Sequence, residues 1–235
     1  MSLNDTLYQA AALIVPLVVA IVFHEVAHGR MARLLGDPTA AEMRRLSLNP
    51  LRHIDPIGTV VVPGMLALAH LPVFGWAKPV PVDFRRLGNP RRDMMLVAAA
   101  GPGSNLILAG IGAVLLGLLV RGFAGGESPP GLAGFVALNL VNFLTINIFL
   151  ALFNLLPIPP FDGSHIVEGL LPMRLARAYG RVRQVGFALV LVVLIVLPSL
   201  IPGFAPVGKV VVPPVQWLTG YYFALAELVA GVTGS

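Results

Sequence analysis

The strongest constraint on the fold is a series of long apolar runs separated by short, arginine-bearing stretches. Of the 235 residues, 57% are hydrophobic and only 11% are charged, whereas soluble domains carry roughly 25% charged residues. Runs of about 20 apolar residues can be solvated only by lipid and by one another. The sequence therefore predicts an all-α polytopic membrane protein.

The charged residues also narrow the possible partners. The formal charge of +5 comes from arginines that lie between apolar runs, where the positive-inside rule places them. We interpret them as topology signals, so we expect a lipid bilayer around the chain and no nucleic-acid partner. Cysteine is absent, which excludes disulfides, thiol nucleophiles and thiolate metal sites. Any metal must therefore be held by nitrogen and oxygen atoms.

The apolar pattern predicts about five to six transmembrane helices in one domain, residues 1–235, with a core at 7–170 and C-terminal helices at 182–232. The first run, 7–23, has no basic segment before it, so we interpret it as a retained helix rather than a signal peptide. Its helix should end at Gly36, a C-cap glycine closely followed by a proline. Further helices are predicted at 94–120, 132–156, 185–200 and 214–230.

The apolar stretch at residues 56–71 is short for a span and contains glycine and proline. If the basic loops at 30–52, 78–92 and 174–183 all lie in the cytoplasm, this stretch cannot cross the bilayer. We therefore predict a re-entrant or hairpin segment between the first two long helices, packed in protein where irregular backbone is tolerated. Residues 79–82, which read PVPV, are expected to form extended chain.

Residues 24–28 read HEVAH, which places His24 and His28 four residues apart on the first predicted helix. Their rings then share one face and can bind one metal ion, with Glu25 beside it as a base. Zinc suits imidazole, and a catalytic zinc site has three protein ligands and one open position. The alternative is a solvated cluster beyond the helix end. Ionisable groups at membrane depth usually face a cavity with a partner, which favours the metal site.

The third ligand must come from elsewhere in the chain, and the best candidate is Asp162, within NLLPIPPFDG at 154–163. A proline-rich break frees this backbone from helical geometry and can turn Asp162 back toward the first helix. Gly163 permits tight turning at the same place. The alternative role of Asp162 is to cap a short helix at 163–170.

These two motifs, in this order and separated by apolar helices, resemble the signature of the site-2 protease family of intramembrane zinc metalloproteases. The elements AGPGSN at 100–105, Asn49-Pro50 and HIDPIGT at 53–59 are similar to the family as well, in its small bacterial or archaeal type without a PDZ domain. The resemblance covers roughly residues 20–170. Larger members carry a helix before the HExxH helix and often a PDZ domain, and we expect neither here.

The resemblance implies one Zn²⁺ per chain, held by His24, His28 and Asp162. It places the general base on Glu25. It also places at Asn154 a catalytic asparagine that orients the substrate or stabilises developing charge.

Other polar residues are candidates for supporting roles. The resemblance favours Asn105 as a residue that supports the site, while Asn147 either does the same or bonds between helices. His165, one turn past Asp162, is a supporting residue, an alternative ligand or an interfacial histidine. We expect His70 to be interfacial and Glu168 to face the cytoplasm. His53 and Asp55 form either a structural turn or a gate.

The sequence therefore predicts an endopeptidase that cuts a transmembrane protein or peptide within or beside the bilayer. By analogy with the family, the substrate is a membrane-tethered transcription regulator, an anti-sigma factor or a leftover signal peptide. The basic flanks put the active site toward the cytoplasmic side, and the composition suggests a bacterial plasma membrane. A catalytically silent zinc-binding protein, channel or carrier is the alternative, but such a site needs no base at Glu25. A diiron oxygenase needs more than the five histidines present.

A transmembrane substrate must unwind locally, because a helix shields its carbonyls in hydrogen bonds between residues four apart. The extended stretch at 79–82 could offer such a segment an edge for backbone pairing. A plain proline-rich connector is the alternative. The residues carry no signal of an oligomeric state.

Overall fold

The computed structural model describes residues 3–68, 75–123, 130–201 and 203–231. Over these ranges the chain forms helices and loops and contains no β-strand. The helices in chain order are α1 (Leu3–Leu34), α2 (Thr39–Glu42), α3 (Val62–Leu68), α4 (Pro90–Arg121), α5 (Gly131–Asn154), α6 (Asp162–Leu170), α7 (Met173–Leu191), α8 (Leu197–Leu200) and α9 (Val212–Ala230).

Three helices are long and apolar enough to cross a bilayer, whose hydrocarbon core is about 30 Å thick. They are Tyr8–Leu34 of α1, all of α4 and all of α5, and the bent helix that includes α7 can supply a fourth span. The chain is therefore an integral membrane protein with three to four candidate spans among the described residues. The predicted count of five to six is not confirmed.

The end of α1 follows the sequence prediction. The helix stops at Leu34, and Gly36 adopts a left-handed backbone with φ of 107°, which glycine accommodates without steric cost. The backbone N–H of Asp37 then bonds to the carbonyl of Ala32 at 2.9 Å. This turn ends α1 two turns after the HEVAH segment.

Helix α4 is the centre of the bundle and contacts α1, α5, α6 and α9. It begins with a reciprocal cap, in which the Asn89 N–H donates to Asp93 Oδ2 at 2.6 Å and Asn89 Oδ1 accepts from the Arg92 N–H. Further along α4, the small Ala109 and Ala113 let α5 approach, and Leu144 packs there fully buried. This packing holds α4 beside α1, where the polar residues of both helices meet.

Between α1 and α4, the described part of the predicted re-entrant segment is a wide six-residue helical turn, Pro56–Val61, followed by the seven-residue α3. Asp55 caps the turn, because its Oδ1 accepts hydrogen bonds from the backbone N–H groups of Ile57 and Gly58. The described part of the segment, residues 56–68, is too short to cross the bilayer. Its re-entrant path stays a prediction, and residues 69–71, with His70, lie outside the described residues.

The C-terminal part of the chain is helical, as predicted, but does not form simple spans. Helix α7 starts at Met173 and continues through a helical turn, Val192–Val196, into α8, with a bend of 62° between Met173–Arg183 and Ala188–Leu200. The predicted helix at 185–200 is therefore mostly the second arm of a bent helix. Helix α9 covers the predicted run at 214–230 and packs against α4.

Candidate active site

His24 and His28 lie one turn apart on α1 and point toward α4. Their ring centroids are 4.6 Å apart, and their Nε2 atoms are 3.0 Å apart. His24 is 6% exposed, so this pair is not a solvated cluster beyond the helix end. The two nitrogens instead face one small volume inside the helix bundle.

Each imidazole is held at its other nitrogen by α4. His28 Nδ1 lies 2.7 Å from the carbonyl oxygen of Val97, and His24 Nδ1 lies 2.6 Å from Oδ1 of Asn105. Both partners are hydrogen-bond acceptors, so each Nδ1 carries the proton and donates. Each neutral ring then presents the lone pair of Nε2, which is the form that binds a metal ion.

Asn105 is itself fixed by a chain of buried amides. Its Nδ2 donates to the Ala20 carbonyl at 3.2 Å and to Oδ1 of Asn147 at 2.7 Å, and Asn147 Nδ2 donates to the Phe143 carbonyl at 2.8 Å. Asn105 and Asn147 are both fully buried. These bonds leave only Oδ1 of Asn105 to face His24, so the amide chain from α5 sets the orientation of this histidine.

Asp162 completes the group, because the loop after α5 returns its carboxylate to α1. Oδ2 of Asp162 lies 3.2 Å from His24 Nε2 and 3.4 Å from His28 Nε2. A Cβ on the next residue, Gly163, would collide with the Leu155 carbonyl, so only glycine fits this tight return. Asp162 lies in the first turn of α6, and its Oδ2 is not bonded to that helix.

The three groups fit a zinc ion. A four-coordinate zinc with ligand bonds of about 2.0–2.1 Å holds neighbouring ligand atoms roughly 3.3 Å apart, close to the 3.0–3.4 Å seen here. Oδ2 of Asp162 is buried and has no hydrogen-bond partner, which is costly unless a cation occupies the space in front of it. Among the described residues, this is the one group of three side chains that could hold a metal.

Gly101 allows α4 to approach the two histidines. A Cβ at this position would collide with Nε2 of His28 and would lie 2.7 Å from Cε1 of His24. Gly101 belongs to the AGPGSN element, and Asn105 follows it one turn later on the same helix. The element therefore acts through two residues, one that makes room for the rings and one that orients a ring.

Glu25 lies beside the metal-binding group and is held by the extended stretch at 79–82. Its Oε2 accepts a hydrogen bond of 2.8 Å from the backbone N–H of Val80. Its other oxygen, Oε1, makes no hydrogen bond within the described parts of the chain and can accept a proton. The geometry thus gives Glu25 one oxygen anchored by the Val80 N–H and one oxygen without a hydrogen-bond partner among the described residues.

Two further predicted site residues make their hydrogen bonds to groups other than the three ligand atoms. Asn154 is the last residue of α5, and its Nδ2 donates to the Leu150 carbonyl at 2.9 Å. His165 faces Arg183, with 3.2 Å between its Nδ1 and Nη2 of the arginine, and burial lowers the pKa of His165 to about 4. The Glu168 carboxylate also bonds to Arg183. A catalytic role for Asn154 and a supporting role for His165 therefore stay predictions.

His53 has the contacts of a turn residue rather than those of a gate. It is 3% exposed, and its Nε2 donates to the Ser47 carbonyl at 2.7 Å. Its own carbonyl accepts a hydrogen bond of 2.9 Å from the Lys78 N–H. His53 thus ties the loop after α2 to the stretch that leads to Glu25.

Sequence reasoning missed three groups around the two histidines and Glu25: the Val97 carbonyl, the Val80 N–H, and the buried Arg45, whose Nη2 donates to the carbonyls of Lys78 and Pro79 just before Val80. The first two are backbone groups, which carry no side-chain signal. Arg45 was counted among the topology arginines, although it is only 8% exposed. The one sequence signal for Arg45 is its position, because it precedes Asn49-Pro50 and does not flank an apolar run.

Comparison with known proteins identifies the family of the chain. Peptidase family M50 matches residues 123–197. YwhC of Bacillus subtilis (strain 168) is 42% identical over 190 residues, which cover 79% of this chain and 80% of that protein. Rip2 of Mycolicibacterium smegmatis is 31% identical over 182 residues, which cover 77% of this chain and 65% of that protein. Both names describe candidate zinc metalloproteases.

No solved structure matches the chain. The identity to YwhC extends over four fifths of both proteins, and the family match includes the region of Asp162. The helices and the HEVAH segment agree with an intramembrane enzyme that uses zinc. The chain therefore belongs to peptidase family M50, the site-2 zinc metalloproteases.

Proposed function

We propose that His24, His28 and Asp162 hold the catalytic zinc of this intramembrane metalloprotease and that Glu25 is its general base. The observation that carries the proposal is the approach of the three ligand atoms to within 3.0–3.4 Å of one another, with Oδ2 of Asp162 buried and otherwise unpaired. The Nδ1 bonds to Asn105 and Val97 support it, because they leave both Nε2 atoms free to bind.

Glu25 and the Val80 N–H carry out the proton transfers and the positioning that the reaction requires. When bound, zinc supplies a Lewis acid toward water and toward the scissile carbonyl. Oε1 of Glu25 takes a proton from the attacking water as the new carbon–oxygen bond forms, while the Val80 N–H holds Oε2. Glu25 then delivers this proton to the amide nitrogen as the peptide bond breaks, so the base is regenerated.

We propose that the substrate is a membrane-spanning protein or peptide that unwinds at the cleaved bond. The extended stretch at 79–82 supports this, because the Val80 carbonyl and the Val82 N–H make no hydrogen bond with any described residue. These groups can pair with an unwound substrate backbone. Replacing Val82 with proline removes one of them, so the KM for a single-span substrate should rise, and an unchanged KM would count against this pairing.

The arginine-bearing flanks support an active site near the cytoplasmic face of a bacterial plasma membrane, where water enters and products leave. Arg30 lies one turn after Val26 on α1, and Arg91 and Arg92 begin α4, so both helices that build the site have their basic ends together. Regulated release of a membrane-tethered protein is the role that fits this placement. Labelling of cysteines introduced at Arg52 and Phe123 from each side of the membrane tests the orientation, and Arg52 accessible only from outside would reverse it.

The test of the chemistry is the Glu25→Gln variant, with the exposed Glu42→Gln as matched control. The amide keeps the size of the side chain and an acceptor for the Val80 N–H but cannot take a proton. Cleavage of a single-span reporter by Glu25→Gln should fall by about 100- to 10,000-fold. Its zinc content should stay at one per chain, and Glu42→Gln should match the wild type. Undiminished cleavage by Glu25→Gln would reject Glu25 as the base.

A further inference from the structure

Residues 78–83, which we call the strap, pass beside Glu25 as a non-helical segment held at several points. The strap is tied to α1 through the Val80 N–H on Glu25, and to the turn after α1 through the Asp83 N–H, which donates to Oδ2 of Asp37 at 2.7 Å. Val80 also packs against Gly29, where a Cβ would lie 2.7 Å from Cγ1 of Val80. The strap thus has a defined position over the base.

Arg45 holds the beginning of the strap from the opposite side. Its Nη2 donates to the Lys78 carbonyl at 2.7 Å and to the Pro79 carbonyl at 3.3 Å. The next residue, Val80, carries the N–H that binds Glu25. A shift of this arginine therefore moves the group that anchors the base.

The surroundings of Arg45 are unusual for a structural arginine. Only 8% of the residue is exposed, and its Nε is buried without a hydrogen-bond partner. The ion pairs found in the described ranges do not include Arg45. Burying an arginine that bonds only to carbonyl groups is costly, and a hydrocarbon side chain of similar size would avoid the cost. In this position the charged guanidinium makes a strong, directed hydrogen bond to the strap.

We propose that Arg45 is a positioning residue for Glu25 and acts through the strap, by fixing the Val80 N–H that anchors Oε2 of the base. The proposal rests on the role of Glu25 as general base. Without Arg45 the strap is displaced and Glu25 loses the hydrogen bond that selects its rotamer. The zinc-binding group keeps its geometry, since its bonds come from α4, α5 and α6.

The first test follows the strap itself and needs no substrate. Hydrogen exchange of full-length, zinc-loaded protein in lipid nanodiscs can be read on peptides that cover residues 76–84. Because residues 79 and 81 are prolines, the strap has few exchanging amides, and Val80 is one of them. Glu25→Ala removes the acceptor and defines the exchange rate of a released Val80 amide. Arg45→Met should bring exchange in the strap toward that level, whereas Arg52→Met, an exposed arginine bonded to the Arg44 carbonyl, should leave it unchanged.

The second test separates positioning from general support of the fold. With a fluorogenic single-span peptide that the wild type cleaves, Arg45→Met should lower kcat by about 10- to 100-fold, the loss expected for a displaced catalytic group. Zinc content should stay close to the wild-type value, because metal binding does not use Arg45. The kcat is measured at saturating substrate, because displacement of the strap should also raise KM. Arg45→Lys keeps one donor for the Lys78 carbonyl, so its kcat should lie between those of Arg45→Met and the wild type. If Arg45→Met does not fold, Arg45→Lys alone should still show raised strap exchange and a reduced kcat.

Unchanged strap exchange or an unchanged kcat in folded Arg45 variants would overturn the proposal. Loss of zinc in step with loss of activity would also overturn it, because Arg45 would then support the whole site rather than the base. The role of Glu25 is judged separately by Glu25→Gln. If that variant stays active the base assignment fails, and with it the catalytic part of this proposal, while the exchange data still report whether Arg45 holds the strap.

Discussion

Oδ1 of Asn105 on α4 lies 2.6 Å from Nδ1 of His24 on α1, and this single contact links the AGPGSN element to the HEVAH segment. It explains why a polar amide lies fully buried in a membrane helix, where an unpaired amide is costly. The contact fixes both the tautomer and the orientation of His24. If His24 is a zinc ligand, as proposed, Asn105 orients this ligand.

Replacing Asn105 with alanine should weaken zinc binding by about 10- to 100-fold, the usual cost of losing a partner of a metal-bound histidine. Zinc affinity can be measured by competition with a chromophoric chelator. The matched control is Asn142→Ala, which removes an amide that bonds to the Ala12 carbonyl between α5 and α1, away from the site. Equal zinc affinities in the two variants would refute the orienting role of Asn105.

Replacing Gly101 with alanine should remove zinc and activity together. The added Cβ has to occupy the space of His28 Nε2, so either α4 moves away or the rings leave their places. The matched control is Gly103→Ala on the same helix, where a Cβ meets nothing within 4 Å. The measurements are the zinc stoichiometry and the thermal unfolding of both purified variants. Full zinc occupancy in Gly101→Ala would mean that α4 does not pack as closely as described.

Asp37 should make stability depend on pH. Burial alone would raise its pKa, but hydrogen bonds from Thr39 and from the Asp83 N–H outweigh it and lower the pKa below the ordinary 3.8. Because the pKa of Asp37 is lower in the folded state, the stabilisation that Asp37 contributes is complete above about pH 4. It is lost as the pH falls through the pKa of Asp37 in the folded protein. Asp37→Ala leaves these donors unpaired and should cost about 1–3 kcal/mol at pH 7.

The measurement is denaturant unfolding in detergent of the wild type and Asp37→Ala at pH 7 and at pH 3. The difference between the two proteins should shrink at the lower pH. Asp83→Asn is the control, because it removes a nearby exposed charge while keeping the N–H that bonds to Asp37. A difference that grows toward low pH would contradict the assigned sign.

The parts of the fold that the sequence predicted well depend on local signals. The turn at Gly36 follows from a glycine ahead of a proline, and the cores of α1, α4 and α5 follow from uninterrupted apolar runs. The spacing of His24 and His28 likewise needs only a helix. Each of these predictions involves residues within a few turns of one another.

The parts that could not be predicted depend on contacts between distant segments. The strap reaches Glu25 through the Val80 N–H, 55 residues away along the chain, and a backbone group leaves no mark in the sequence. The number of spans was uncertain for a related reason. Hydropathy measures how apolar a run is, but it does not reveal the 62° bend between Met173–Arg183 and Ala188–Leu200.

The central claim is that Asp162, rather than His165, completes a zinc site with His24 and His28. The most direct measurement is zinc stoichiometry, by elemental analysis, of purified Asp162→Ala and His165→Ala beside the wild type. Asp162 has an unpaired oxygen 3.2 Å from His24 Nε2, whereas His165 faces Arg183. We predict one zinc per chain in the wild type and in His165→Ala, and a sharp loss in Asp162→Ala. Full zinc in Asp162→Ala with loss in His165→Ala would contradict the account.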